Sequence, residues 1–248
     1  MIENAVARID FVGINVTRKP YDDKMLRQAI NFAVDKDAII KTVLFGAAEP
    51  ATSFLPKMAF RDETAKGYPF DLAKAKELVA QSAGKDGFKA ELIIQAGGAV
   101  GGQVAQLVAA NLAAIGGAIT ITPIEGATLN ERVFTTQDFD MSLNYYTTDI
   151  IDPDELASFA VLSDGGVKAM GTGYKNDAVD TLIKDAQKEL DPAKRKEAYK
   201  RIQAMHLDDA PFIFLYYPGG SSATSKRVKN FTVLPTGNYR LWETWIEQ

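Results

Sequence analysis

Between Asp71 and Ile124 the spacing of apolar residues switches repeatedly between a helical and an extended period, which restricts the fold more than any other feature. Asp71 is placed to cap a helix over 72–83 that closes at Gly84, and Phe88–Gln95 follows as a strand. Residues 103–115 return to the helical period, with Val104, Leu107, Val108, Leu112 and Ile115 on one face, and 118–124 are extended again. Helix, strand, helix and strand in this order predict a sheet covered by helices.

The flanking segments continue the pattern. Phe11–Val16 is extended, Asp22 or Asp23 opens a helix through Leu26, Ile30 and Ala33, and Asp35-Lys36-Asp37 starts another that stops at Gly46. The stretch 48–70 is irregular, but Phe54, Leu55 and Phe60 give it something to pack with, so it is expected to lie against the domain. A strand over 139–145 alternates Phe139, Met141, Leu143 and Tyr145 with Asp140, Ser142 and Asn144. Helices are expected over 129–134 and 155–162, from Asn176, and from Asp191-Pro192, the last a cap followed by a first-position proline. Pro211–Tyr217 is almost wholly apolar, as a strand buried on both faces would be, and the tail carries Tyr239, Trp242 and Trp245, which need a covering surface. The expected class is α/β, a mixed sheet with flanking helices.

Lys and Arg number 28 against 32 Asp and Glu, a net charge of −4 with both signs scattered, so no basic field suits DNA or RNA. Cysteine is absent, which removes disulfides, thiolate metal sites and cysteine nucleophiles. No apolar run is long enough to cross a bilayer, and the first ten residues lack the pattern of a secretory signal, so a soluble chain is expected, with any export signal removed or lying upstream.

The strongest local constellation is Tyr145-Tyr146-Thr147-Thr148-Asp149 followed by Asp152-Pro153-Asp154, at a strand end before a helix. Loops at strand C-termini rim the crevices of α/β sheets, where a carboxylate meets a ligand ammonium and tyrosines cover its apolar parts. Asp149 is the ligand-contact candidate; in the competing account Asp154 caps the helix, Asp152 organises the turn and the tyrosines are core. The three acids do not follow the spacing of a calcium loop, so no metal is expected. Gly97–Gly102 lacks both nucleotide-binding glycine patterns and is expected as a rim loop, with no cofactor. His206, the single histidine, has neither a nucleophile elbow nor metal partners, and a structural or surface role is expected. Arg27 is a candidate for an ion pair or a plain surface role.

Phe11-Val12-Gly13-Ile14-Asn15, Pro20-Tyr21-Asp22-Asp23 and Leu26 to Lys36, with the later landmarks Tyr68-Pro69-Phe70-Asp71, Asp152-Pro153 and Asp209-Ala210-Pro211, resemble the oligopeptide-, dipeptide- and nickel-type solute-binding proteins that serve ABC importers. The resemblance implies a two-lobed periplasmic-binding-protein-like fold of which this chain is the C-terminal portion. Residues 1–17 would be a hinge and first-lobe strand segment, 18–225 the second lobe, and 226–248 a return to the hinge and first lobe. It implies substrate capture rather than catalysis, with Asp149 meeting a peptide amine and Tyr145, Tyr146 and Thr147 as pocket walls. Asn15, Arg27, Asp152 and Pro153 would be structural or hinge residues. The implied partners are a short peptide or other small ligand, an ABC transporter permease, and the missing N-terminal half or another chain. The implied compartment is periplasmic or otherwise extracytoplasmic and membrane-associated, and the chain alone would have weak or absent affinity. Ile150-Ile151 departs from the filling common between these landmarks, and sugars, opines or metal chelates are alternative ligands for the same fold. A stand-alone interaction module using the aromatic tail and a hydrolase with paired carboxylates are the other classes.

Overall fold

The computed structural model describes residues 2–4, 6–56, 60–234 and 236–248; Met1 and Ala5, within the expected first-lobe segment, lie outside the described residues. In chain order the larger elements are β1 (Ile2–Asn4), β2 (Arg8–Ile14), α1 (Lys24–Ala33), α2 (Lys36–Val43), β3 (Ala48–Pro50), α3 (Leu72–Gln81), β4 (Phe88–Gln95), α4 (Ala99–Ala113) and β5 (Gly117–Ile124). Then come α5 (Gly126–Asn130), which runs into a π-turn, β6 (Met141–Thr147), α6 (Pro153–Ala160), α7 (Asp177–Ala186), α8 (Pro192–Asp209), β7 (Phe212–Pro218) and β8 (Gly220–Ser222). Four two-residue strands finish the chain: β9 (Val228–Lys229), β10 (Thr232–Val233), β11 (Tyr239–Arg240) and β12 (Trp245–Ile246).

Most helix starts are written locally. Asp23, Asp35, Asp71, Asn176 and Asp191 each accept from a backbone N–H of the first turn, satisfying donors that have no partner within the helix. α4 begins at Ala99, earlier than the hydrophobic stripe suggests, so Gly101 and Gly102 lie inside its first turns. The cap of α6 is Asp152 and not Asp154, because Pro153 takes the first helical position and puts the cap immediately before it.

Six strands form one mixed sheet in the order β3-β7-β2-β6-β4-β5. β4 runs parallel to β5 and β6, while β2 is antiparallel to both β6 and β7. Alternation along β2 and β7 feeds two cores: Val12, Ile14, Ile213 and Leu215 pack under α1 to α4 with Leu26, Ile30 and Val108. Ile9, Phe11, Phe212 and Phe214 pack on the other face with α6 to α8 and with Phe54 and Leu55 of the irregular stretch. Each such fully buried side chain contributes about 2–3 kcal/mol from removal of apolar surface from water. β7 is buried on both faces, as its composition requires.

β2 has a neighbour on each side, which places 8–14 in the interior of the six-stranded sheet. Outside that sheet lie three two-stranded pairs, β1 with β8, β9 with β12 and β10 with β11. They carry the aromatic tail, in which Trp242 is 74% and Trp245 51% exposed.

Arg27 and Asn15 tie loops to the sheet. The Arg27 guanidinium is buried and donates to the carbonyls of Tyr21, Asp22 and Asp209 rather than to a carboxylate. Asn15, fully buried at the end of β2, donates to the carbonyls of Gln137 and Phe139 and accepts from Thr17.

Candidate functional site

Strand direction creates the site. The parallel strands β4, β5 and β6 all end at one edge of the sheet, where β2 begins and β7, antiparallel to it, ends. α4 and α5 start from this same edge, and an open concavity of about 790 Å³ lies between them and the strand ends. It occupies the crevice at strand carboxyl ends where α/β sheets hold ligands.

Register then selects the lining. Asp10 stands opposite Tyr145 of β6 and close to Tyr216 of β7, and Arg8 stands opposite Thr147. Arg8 grips Asp10 with two bonds, Nε to Oδ2 at 2.8 Å and Nη2 to Oδ1 at 2.7 Å, and its guanidinium lies 3.8 Å from the centre of the Tyr145 ring. Burial pushes the Asp10 carboxyl above its ordinary range, against the opposing pull of Arg8 and Tyr216. Among the described residues lining the concavity, Asp10 is the only carboxylate.

Gly97, Gly98 and Gly101 form the opposite lip. Gly97 has φ +84°, a left-handed conformation that glycine adopts without strain, and a Cβ there would meet no atom within 4 Å. This lip therefore offers bare backbone to whatever enters.

The residues singled out from the sequence divide by location. Tyr145, 46% exposed, and Thr147 line the concavity. Tyr146 borders it, but its ring packs on Phe11 and its buried hydroxyl donates to the Phe54 carbonyl at 2.7 Å. Asp149 is exposed just beyond the lining, in a turn held by Thr148, whose hydroxyl contacts the Glu155 carboxylate, and by Ile150 N–H, which donates to Glu155 at 3.0 Å. Asp152 and Pro153 start α6; the Arg195 guanidinium bonds both Asp152 oxygens at 2.7 Å and holds that carboxyl below its ordinary value. Among the described residues no three acidic or histidine side chains gather as a metal site, and no helix is long and apolar enough to cross a membrane.

Arg8, Asp10 and Tyr216 also line the concavity and were not singled out from the sequence, although a signal existed for the first two. In Arg8-Ile9-Asp10-Phe11, the opposite charges two residues apart must share one strand face while Ile9 and Phe11 share the other.

Residues 2–168 match the family model described as bacterial extracellular solute-binding proteins, family 5, middle. The chain belongs to this family. A glutathione-binding protein, GsiB, of Pectobacterium atrosepticum is 31% identical over 239 residues, covering 91% of this chain and 45% of the relative. Heme-binding protein A of Haemophilus influenzae is 28% identical, covering 96% of this chain and 44% of the relative. The periplasmic binding protein DppA of Helicobacter pylori, solved with the peptide STSA, superposes with a TM-score of 0.85 at 26% identity, over all of this chain and 48% of that one. The chain thus spans about half the length of the family members it matches.

Proposed function

We propose that this chain is the second lobe of a two-lobed solute-binding protein that captures a short peptide for an ABC importer, and that the concavity beside Tyr145 and Thr147 is its wall of the cleft. The observation that carries the reading is the open crevice at the strand ends, lined by a fixed ion pair, aromatic rings and bare glycine backbone. A peptide is favoured by the tetrapeptide in the DppA neighbour and by glutathione, itself a tripeptide, in the name of a relative. A single carboxylate in the lining supports binding over paired-acid hydrolysis.

On this reading β1 and residues 220–248 belong with the first lobe, whose surface covers Trp242 and Trp245. Ligand bridges both lobes and favours the closed state, because only closure makes both sets of contacts. The closed form is then presented to a permease outside the cytoplasm. Asp149, at the rim, meets the peptide amine on closure.

Calorimetric titration with a panel of peptides and sugars, of this chain alone and joined to a first-lobe half, tests the proposal. Peptides are expected to bind weakly to the chain alone and far more tightly to the joined form. There, Asp149→Ala is expected to cost roughly tenfold or more for peptides with a free amine, the loss of one charge-assisted hydrogen bond, and nothing for N-acetylated ones. Equal affinity of variant and parent for free-amine peptides rejects the amine contact; binding of sugars alone rejects the peptide.

A further inference from the structure

Arg8 has unused donors. A guanidinium carries five N–H groups, and the bonds to Asp10 use the one on Nε and one on Nη2. Among the described residues nothing accepts from the remaining three, and the side chain is 35% exposed where it lines the concavity.

We propose that the free Nη1/Nη2 edge of Arg8 is a docking point for a carboxylate, so that the captured ligand is a carboxylate-bearing molecule fixed by a planar two-point contact. The inference rests on the reading of the concavity as the ligand wall. Three constraints prepare the group: the paired hydrogen bonds to Asp10 fix its rotation, the Tyr145 ring supports one flat face, and pairing with Thr147 of β6 anchors its backbone. A pre-positioned planar fork selects a planar partner with two acceptors, which is the geometry of a carboxylate.

The surroundings agree in sign. α4 starts on the same concavity with no side-chain cap and no acidic residue in its first turn, so its free N–H groups and dipole favour an anion. Asp10 already neutralises the charge of Arg8. Binding therefore depends on donor geometry more than on net charge, and added salt should weaken it only slightly.

If Arg8 served only to neutralise the buried Asp10, lysine would do as well. Arg8→Lys keeps the positive charge but has no fork, which separates the two roles. The test is a ¹⁵N NMR titration of the 248-residue chain with N-acetyl-Ala-Ala and with its C-terminal amide, two probes that leave the proposed amine contact out. The acid is expected to shift Gly98, Tyr145, Thr147 and the Arg8 Nε–H saturably, roughly tenfold or more tighter than the amide, and Arg8→Lys to erase the difference.

Equal binding of acid and amide at those residues overturns the carboxylate contact and leaves the ligand wall standing. Absence of saturable shifts there with either probe, on this chain and on the form joined to a first-lobe half alike, overturns both. Full preference for the acid in a folded Arg8→Lys variant overturns the role of the fork, and should that variant not fold, the comparison of acid with amide on the unaltered chain decides.

Discussion

Between pH 6.5 and about 3 the protein is expected to lose on the order of 4 kcal/mol of folding stability through one side chain, His206. The imidazole is fully buried, ringed by Phe54, Tyr174, Phe212 and Phe214 at centroid distances of 5.0–5.9 Å. Among the described residues neither ring nitrogen has a hydrogen-bond partner. Burial drives its pKa down to about 3, and the opposing attraction of Asp209 is the lesser effect. The native state therefore holds it neutral, while the unfolded chain takes up a proton below about pH 6.5. Stability from this group is complete above that pH and falls as the pH drops towards 3. In urea denaturation at pH 7.0 and 4.5, wild type should lose about 2–3 kcal/mol more than His206→Leu, which cannot titrate. Equal losses in both proteins would contradict a neutral buried imidazole.

The second large effect is structural. Arg27→Met is expected to cost about 3 kcal/mol, because it strips one buried and two partly buried backbone carbonyls of their donors. Arg27 joins the turn before α1 to the end of α8 through bonds of 2.7–3.0 Å to Tyr21, Asp22 and Asp209. Lysine keeps the charge but cannot span carbonyls from two segments with a rigid fork, so Arg27→Lys should recover less than half of the loss. The site is elsewhere, so ligand affinity of the folded variant should match wild type. An unchanged denaturation midpoint, or a loss of affinity without loss of stability, would show that the residue acts otherwise.

Local features were legible where local physics decides them. The strand 88–95, the apolar β7 and the Asp and Asn caps follow from period, composition and the need to satisfy free N–H groups. Strand order was not legible: that β2 separates β6 from β7 depends on pairings across more than 120 residues. For the same reason Tyr145 and Thr147 could be placed at the rim from their own strand end, while the approach of Arg8 and Asp10 to them needed the register of three strands. A structural or surface role was expected for His206, and only the side of the helix it occupies, which turns it into the aromatic core, decides between the two.

Capture by this lobe requires a ligand lying in the crevice at the ends of β4 and β6. A crystal structure of the chain joined to a first-lobe half, grown with a tripeptide, measures this directly. Peptide density between the Gly97–Gly98 lip and Tyr145, with its carboxylate on Arg8, is the predicted result. Peptide bound away from that crevice, or the crevice filled by another part of the protein while peptide binds elsewhere, would contradict it.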